Sequence, residues 1–133
     1  MDGRHICILD EDIFWQDTLV RKFVERGIRA TGVCEEDELW ELLSDDAFHL
    51  AIVEPHINNE VSENILHSLS IRSIPFLVCT KAFHPTSIST FLQHTPSAIF
   101  LKGNVSAGTI TDHALRLLDS TAHLIQTQKC YQI

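Results

Sequence analysis

Short runs of apolar residues, each ending in a polar or charged residue, alternate along the chain with segments of helical periodicity. Four of these runs have the length and composition of strands buried on both faces, at residues 6–9, 48–53, 74–79 and 97–101. A less apolar run at residues 28–33 predicts a short, half-buried edge strand. Because strands that alternate with helices pair in parallel, the pattern predicts an α/β fold with a doubly wound, five-stranded sheet.

Helical periodicity between the strands predicts five helices, of which the first has Asp12 as its N-cap and Gly27 as its C-terminal stop. Its core-facing stripe is predicted to be Phe14 or Trp15, Leu19, Val20, Phe23 and Val24. The other helices are expected at residues 35–44, at about 62–69, from Pro85 over Ile88, Phe91 and Leu92, and from about 106 to Ile125. The rest of residues 55–72 is predicted to be a loop, and residues 126–133 carry no pattern.

The length of 133 residues predicts one domain over residues 1–133, with the extended last helix belonging to it. A hydrophobic content of 44% with 21% charged residues is typical of a soluble globular protein, and no apolar run reaches the length of a membrane span. Neither a membrane contact nor a signal peptide is therefore expected, and the expected location is the cytoplasm.

The formal net charge of −8 argues against nucleic-acid binding by this domain, because a phosphate backbone requires a basic surface. The eight histidines form no helical i, i+4 pair and no H-x-H motif, so we expect them to be solvated or hydrogen-bonded and not metal ligands. Cys7 and Cys79 lie inside apolar strands, where a thiol acts as a small hydrophobic group.

Polar side chains mark the carboxyl ends of four predicted strands. Asp10 and Glu11 follow the first strand, and Glu54 follows the third. Thr80 closes the fourth strand and Lys102 the fifth. In open α/β sheets these ends meet at one edge, where ligands bind, so the five side chains are candidates for a common site.

This series of strand ends resembles the receiver domain of two-component response regulators across nearly the whole chain. In that family an acidic pair follows strand 1, a phosphorylatable Asp follows strand 3, a Ser or Thr follows strand 4 and a Lys follows strand 5. The resemblance implies a flavodoxin-like three-layer sandwich with strand order 2-1-3-4-5, and it assigns phosphoryl contacts to Thr80 and Lys102. The chain departs from the pattern at the phospho-acceptor position, which is Glu54.

The three acids Asp10, Glu11 and Glu54 form the predicted acidic pocket. Like charges about 4 Å apart repel by roughly 4 kcal/mol at an effective dielectric of 20, so the pocket needs a cation, a proton or a lysine. The family uses Mg²⁺ there, and in this chain we expect its binding to be weak or absent, with Lys102 as the internal alternative.

Glu54 is longer than Asp by one methylene, which moves its carboxylate outward by about 1.5 Å. Because phosphoryl transfer depends on positioning, such a displacement costs on the order of 100-fold in rate, and phosphorylation is not expected. Two interpretations stay open. Glu54 either imitates a permanently phosphorylated state by reaching Lys102 and Thr80, or it belongs to a decayed site and forms an ion pair.

Other positions also depart from the family pattern. Lys81 replaces the small residue that usually follows the hydroxyl, and its ammonium either blocks the pocket or points to solvent. Ile99 takes the place of the aromatic switch residue, and Gly103 replaces the proline after the lysine. The Met-Pro-x-x-x-Gly motif after the acceptor is absent. Together these departures indicate a degenerate switch.

The preferred hypothesis is a receiver-like signal transduction module of the phosphorelay type that is not an enzyme and acts through protein contacts. Its partner, or a second copy in a homodimer, is expected on the helix 4–strand 5–helix 5 face, formed by the helix from Pro85, the strand at 97–101 and the last helix. The alternative is a phospho-receiver that still accepts a phosphoryl group. More distant is a small haloacid-dehalogenase-like phosphatase, in which Asp10 and Asp12 would form the D-x-D motif.

Overall fold

A computed structural model describes residues 3–45, 48–81, 84–120 and 130–132. Strands and helices alternate through this part of the chain. In order they are β1 (His5–Leu9), α1 (Ile13–Glu25), β2 (Arg29–Val33), α2 (Glu36–Asp45), β3 (Leu50–Val53), β4 (His56–Ile57), β5 (Glu60–Val61), α3 (Glu63–Ile71), β6 (Phe76–Thr80), α4 (Pro85–Gln93), β7 (Ala98–Leu101), α5 (Ala107–Ser120) and β8 (Cys130–Gln132).

The main sheet is parallel, with the strand order β2-β1-β3-β6-β7-β8. Its first five members are the five predicted strands in the predicted order, so the fold class is confirmed. The register keeps the carboxyl ends level, because Leu9 pairs with both Val33 and Val53, and Thr80 pairs with Leu101. The residues that follow these strands therefore emerge at a single edge.

The sixth strand, β8, corrects the interpretation of residues 126–133 as patternless. Cys130 pairs with Ala98, and the two strands run parallel because α5 carries the chain back across the sheet. A strand of three residues is too short to show the alternation of apolar and polar residues that marks a strand in a sequence. Its position follows from pairing with the edge of β7. The predicted continuation of the last helix to Ile125 lies outside the described residues.

Two apolar clusters cover the two faces of the sheet. Alternate residues of β1 point to opposite faces, so Ile6 and Ile8 join the cluster under α1 and α5, while Cys7 and Leu9 join the cluster under α2, α3 and α4. Every residue of β1 is buried. This burial explains the continuous apolar run in the sequence and gives the predicted three-layer sandwich.

Helix α1 is capped as predicted but its apolar stripe differs. The Asp12 carboxylate accepts a bond from the Trp15 N–H at 3.1 Å, and Gly27 ends the helix with a φ of +78°. Trp15 packs on the core, whereas Phe14 is 79% exposed. The prediction of Val24 as a core residue is wrong, because it is 55% exposed, about 100° around the helix from the buried stripe.

A short hairpin replaces part of the loop predicted after the third strand. Strands β4 and β5 pair antiparallel across Asn58 and Asn59, whose φ angles are +53° and +67°. Two-residue hairpin turns of the primed type need a positive φ at both central positions, and asparagine tolerates this conformation better than most residues. The Asn-Asn pair was therefore the sequence signal for a turn that places His56 beside Glu54.

None of the helices in the described ranges is long and apolar enough to cross a bilayer.

Candidate functional site

The level strand ends bring four of the predicted side chains together: Asp10, Glu54, Thr80 and Lys102. Backbone bonds hold the ends in place. The Glu54 N–H donates to the Leu9 carbonyl at 2.9 Å, and the Lys102 N–H donates to the Thr80 carbonyl at 2.8 Å. These bonds hold Glu54 and Lys102 at the carboxyl ends of the sheet strands.

Lys102 is the cation of this site. Its Nζ lies 2.5 Å from Asp10 Oδ2 and 3.8 Å from Glu54 Oε1. Both carboxylates are buried, with Asp10 3% and Glu54 4% exposed. The ammonium also lies 6.0 Å from the centre of the Trp15 ring, at the outer limit of a cation–π contact. The two acids therefore share one buried positive charge.

The Asp10 carboxyl is held from two sides. Its Oδ1 accepts a bond from the Asp12 N–H at 2.9 Å, while Oδ2 faces Lys102. Burial raises the pKa of Asp10 above its ordinary value, and the Lys102 ammonium and the Asp12 amide oppose this effect without cancelling it. Desolvation is the stronger influence on this acid.

Both oxygens of the Glu54 carboxylate already have donors. Oε1 accepts from the Thr80 hydroxyl at 3.2 Å and from the Lys81 backbone N–H at 3.1 Å. Oε2 accepts from the His56 backbone N–H at 3.4 Å and lies 3.1 Å from His56 Nδ1. With Lys102 beside it, this carboxylate has the hydrogen-bond saturation that a buried anion requires.

His56 was not singled out from the sequence. Its Nδ1 lies 3.1 Å from Glu54 Oε2 and 3.1 Å from the Thr80 hydroxyl, and its side chain is only 10% exposed. The ring packs edge-on against Phe91 of α4 at a centroid distance of 5.9 Å. His56 therefore belongs to the site. It forms hydrogen bonds there, which is one of the two roles expected of the histidines from the sequence.

Glu11 lies on the outer rim of the acidic pocket. It is exposed, and its Oε1 accepts a bond from the Asn58 N–H at 3.0 Å, which ties the hairpin turn to the end of β1. Within the described ranges no group of three or more His, Cys, Asp or Glu side chains is placed to hold a metal ion. The oxygens of Asp10 contact Lys102 and the Asp12 N–H, and those of Glu54 contact Thr80, Lys81 and His56.

An open hollow of about 280 Å³ lies over the site, with walls that include Asp10, Glu11, Glu54, His56, Lys81 and Lys102. Lys81 is an exposed residue whose backbone reaches Glu54. The blocking role predicted for its ammonium stays a prediction. Ile99, at the switch position, is fully buried in the cluster under α2, α3 and α4.

Gln16 is a second positioning residue that the sequence did not reveal. Its amide Nε2 donates to the Val33 carbonyl at 2.8 Å and to the Asp10 carbonyl at 3.1 Å, which joins the ends of β2 and β1. A Cβ at position 32 would displace the Gln16 side chain, so Gly32 leaves room for these bonds. A glycine inside a strand was the available signal, since it marks a close approach.

Structures of response regulator receiver domains share this architecture. The chain is similar to a CheY-like receiver domain protein from Methanospirillum hungatei JF-1, with a TM-score of 0.82 and 15% identity over 92% of this chain and 98% of that one. It is similar to a two-component response regulator from Clostridium difficile, with a TM-score of 0.80 and 15% identity over 90% and 98% of the two chains.

A third similar structure is a response regulator from Burkholderia pseudomallei with a phosphorylated aspartic acid, calcium ion and citrate. Its TM-score is 0.74, at 15% identity over 91% of this chain and 72% of that one. No protein-family model and no curated protein matches the sequence. At this level of identity the likeness establishes the fold, and the chain has the fold of response regulator receiver domains.

Proposed function

We propose that this chain is a receiver-like signal transduction module that is not phosphorylated at Glu54 and acts through protein contacts, without catalysis. The observation that carries the proposal is the saturated Glu54 carboxylate. Four contacts from Thr80, Lys81 and His56 bind its two oxygens, and Lys102 lies 3.8 Å away.

A phospho-acceptor must present a free carboxylate oxygen in line with the incoming phosphorus. In this site an attacking Glu54 oxygen would first have to give up a buried hydrogen bond, and hydrogen bonds to a charged group are worth about 1.5–3 kcal/mol each. The displacement of about 1.5 Å by the extra methylene adds its own penalty. Both effects act against phosphorylation of this residue.

The geometry favours imitation of the phosphorylated state over decay. The resemblance gives a phosphoryl group two protein partners, the hydroxyl of Thr80 and the ammonium of Lys102. Glu54 Oε1 lies 3.2 Å from the first and 3.8 Å from the second. The longer side chain of Glu54 thus reaches the same groups with its own negative charge, and His56 adds a donor at the other oxygen.

The contact surface we propose is the helix 4–strand 5–helix 5 face, now described by α4, β7 and α5. Strand β8 covers the outer edge of β7, so a partner on this face would contact α4, α5 and β8 and would not add a strand to β7. Leu92 of α4 is 39% exposed and is an apolar anchor on this surface. The partner is a protein or a second copy of this chain.

Calorimetric titration with Mg²⁺, with and without beryllofluoride, tests the proposal on wild type and on Glu54→Asp. Wild type should bind Mg²⁺ weakly and give no beryllofluoride response. If only the acceptor has been lost, Glu54→Asp should gain that response, while Glu60→Asp, the same shortening on the exposed hairpin strand, should not. A phosphoryl adduct on Glu54 after incubation with a small phosphodonor, seen by intact mass, would contradict the proposal.

Turnover of a phosphomonoester such as 4-nitrophenyl phosphate would support the phosphatase alternative instead. We expect none, because that reaction needs Asp12 as an acid above the strand edge. In this fold the Asp12 carboxylate caps α1 through the Trp15 N–H.

A further inference from the structure

The outer face of α1 exposes several large apolar side chains to solvent. Ile13 is 66% exposed, Phe14 79% and Val24 55%, and only two other large hydrophobic residues in the described ranges are comparably exposed. At about 100° per residue, Ile13 and Phe14 lie about 20° and 80° around the helix from Val24. The three side chains therefore share one face of α1, on the side away from the buried Leu19 and Phe23.

An ion pair lies between the apolar ends of this face. Asp17 Oδ2 lies 3.0 Å from Arg21 Nη2, and both side chains are exposed. At about 100° per residue these two side chains lie about 40° apart, in the same sector of the helix as Ile13 and Val24. Along its length the face thus presents an apolar first turn, an acid, a base and an apolar last turn.

This order of side chains is complementary to itself under a two-fold rotation. The midpoint between Ile13 and Val24 and the midpoint between Asp17 and Arg21 coincide to within about 0.8 Å along the helix, at about 1.5 Å per residue. A second copy of α1, laid antiparallel about this level, brings Ile13 onto the partner's Val24 and Asp17 onto the partner's Arg21. In such an isologous contact every pair occurs twice.

We propose that the outer face of α1 binds a second copy of this chain, with the two helices antiparallel about a two-fold axis level with Leu19. Each Asp17–Arg21 pair then meets the opposite order of charges on the other copy, and the apolar ends cover each other. Charge complementarity favours a second copy, because a partner surface of a single sign would repel either Asp17 or Arg21.

The expected dimer is weak and reversible. Helix α1 has 13 residues, so two such helices bury an area at the low end of specific interfaces. We expect a dissociation constant between about 1 μM and 1 mM. A contact of this strength makes association depend on the concentration of the chain.

This proposal goes beyond the proposed function and does not depend on it. The buried side of α1 joins the cluster that α5 also covers, whereas Phe91 of α4 joins the cluster on the opposite face of the sheet. A dimer through α1 therefore leaves Leu92 of α4 accessible to a protein partner.

The test is sedimentation equilibrium of the full chain at concentrations from about 10 μM to 1 mM. Wild type should show a reversible equilibrium between monomer and dimer. Asp17→Arg and Arg21→Asp should each weaken association at least tenfold, because each places like charges opposite one another. The matched control is Glu41→Arg, which makes the same change of charge as Asp17→Arg on an exposed position of α2 and should associate as wild type does.

A mixture of Asp17→Arg and Arg21→Asp is the most specific arm of the test. In the mixed pair one copy presents two arginines and the other two aspartates, so opposite charges face each other at both positions. The mixture should therefore associate at least as tightly as wild type, although neither variant associates well alone.

Three results would overturn the proposal: no dimer of wild type at about 1 mM, unchanged association of Asp17→Arg, or no association in the mixture. A dimer that is lost in Leu92→Asp but kept in Asp17→Arg would also overturn it. That result would place the second copy on the α4 surface and would support the contact surface given under the proposed function.

Discussion

Replacing Lys102 is the most direct test of whether its positive charge stabilises the buried carboxylates of Asp10 and Glu54. The Lys102 ammonium lies 2.5 Å from Asp10 Oδ2 and 3.8 Å from Glu54 Oε1, and the lysine side chain itself is only 13% exposed. Methionine keeps most of the length and the apolar stem of the side chain but removes the charge. Lys102→Met therefore leaves two buried acids with no cation between them.

The expected loss of stability is large. Removing one partner of a buried ion pair costs about 3–5 kcal/mol, and two carboxylates about 4 Å apart repel by roughly 4 kcal/mol at an effective dielectric of 20. We expect Lys102→Met to lower the free energy of unfolding by about 3–4 kcal/mol near neutral pH. The loss should shrink in mild acid, because Asp10, whose pKa burial raises, takes up a proton and the repulsion disappears.

Urea unfolding of wild type and Lys102→Met, at neutral and at mildly acidic pH, measures both effects. Lys22→Met, on the exposed side of α1, is the matched control and should change stability by about 0.5 kcal/mol or less. Adding Glu54→Gln to Lys102→Met should recover part of the loss at neutral pH, because one of the two unpaired charges is gone. A loss below about 1 kcal/mol, or an equal loss at both pH values, would refute the role given to Lys102.

Three further predictions concern single residues. His56→Ala should lower the free energy of unfolding by about 1–3 kcal/mol in urea titrations, because Glu54 Oε2 loses its imidazole contact; an unchanged midpoint would contradict this. Burial raises the pKa of Asp10 in the folded state. The stability that the Asp10 carboxyl contributes is therefore full below its unfolded-state pKa and is lost as pH rises through its folded-state pKa. Wild type should thus lose stability relative to Asp10→Asn over this window, and a relative gain would reverse the assigned sign. Burial raises the pKa of Cys79 to about 12, so a thiol reagent at mildly alkaline pH should label Cys34 and spare Cys79 in peptide mass maps of the native protein.

Much of the fold follows from local features of the chain. The continuous apolar runs that became β1, β3, β6 and β7 are buried on both faces, and their parallel order was predicted. Asp12 and Gly27 limit α1 as their local chemistry requires. Each of these predictions depends on a few neighbouring residues, which is why one sequence suffices for them. The prediction of Val24 as a core residue failed, because periodicity gives the period of a helix more reliably than the centre of its buried face.

The apolar runs identify which residues come to the edge of the sheet, because strand ends in a parallel sheet follow from the runs that precede them. How those residues pair with one another depends on the folded arrangement of the whole chain. Lys102 pairs with Asp10 more closely than with Glu54, and His56 is carried onto Glu54 by a hairpin turn of two asparagines. Strand β8 likewise depends on the free edge of β7. The contacts of Lys102 and of β8 join residues far apart in the chain, and His56 contacts Glu54, two residues before it, beside the hairpin turn. Side-chain length, burial and competition among donors set these contacts, and a local sequence pattern contains none of them.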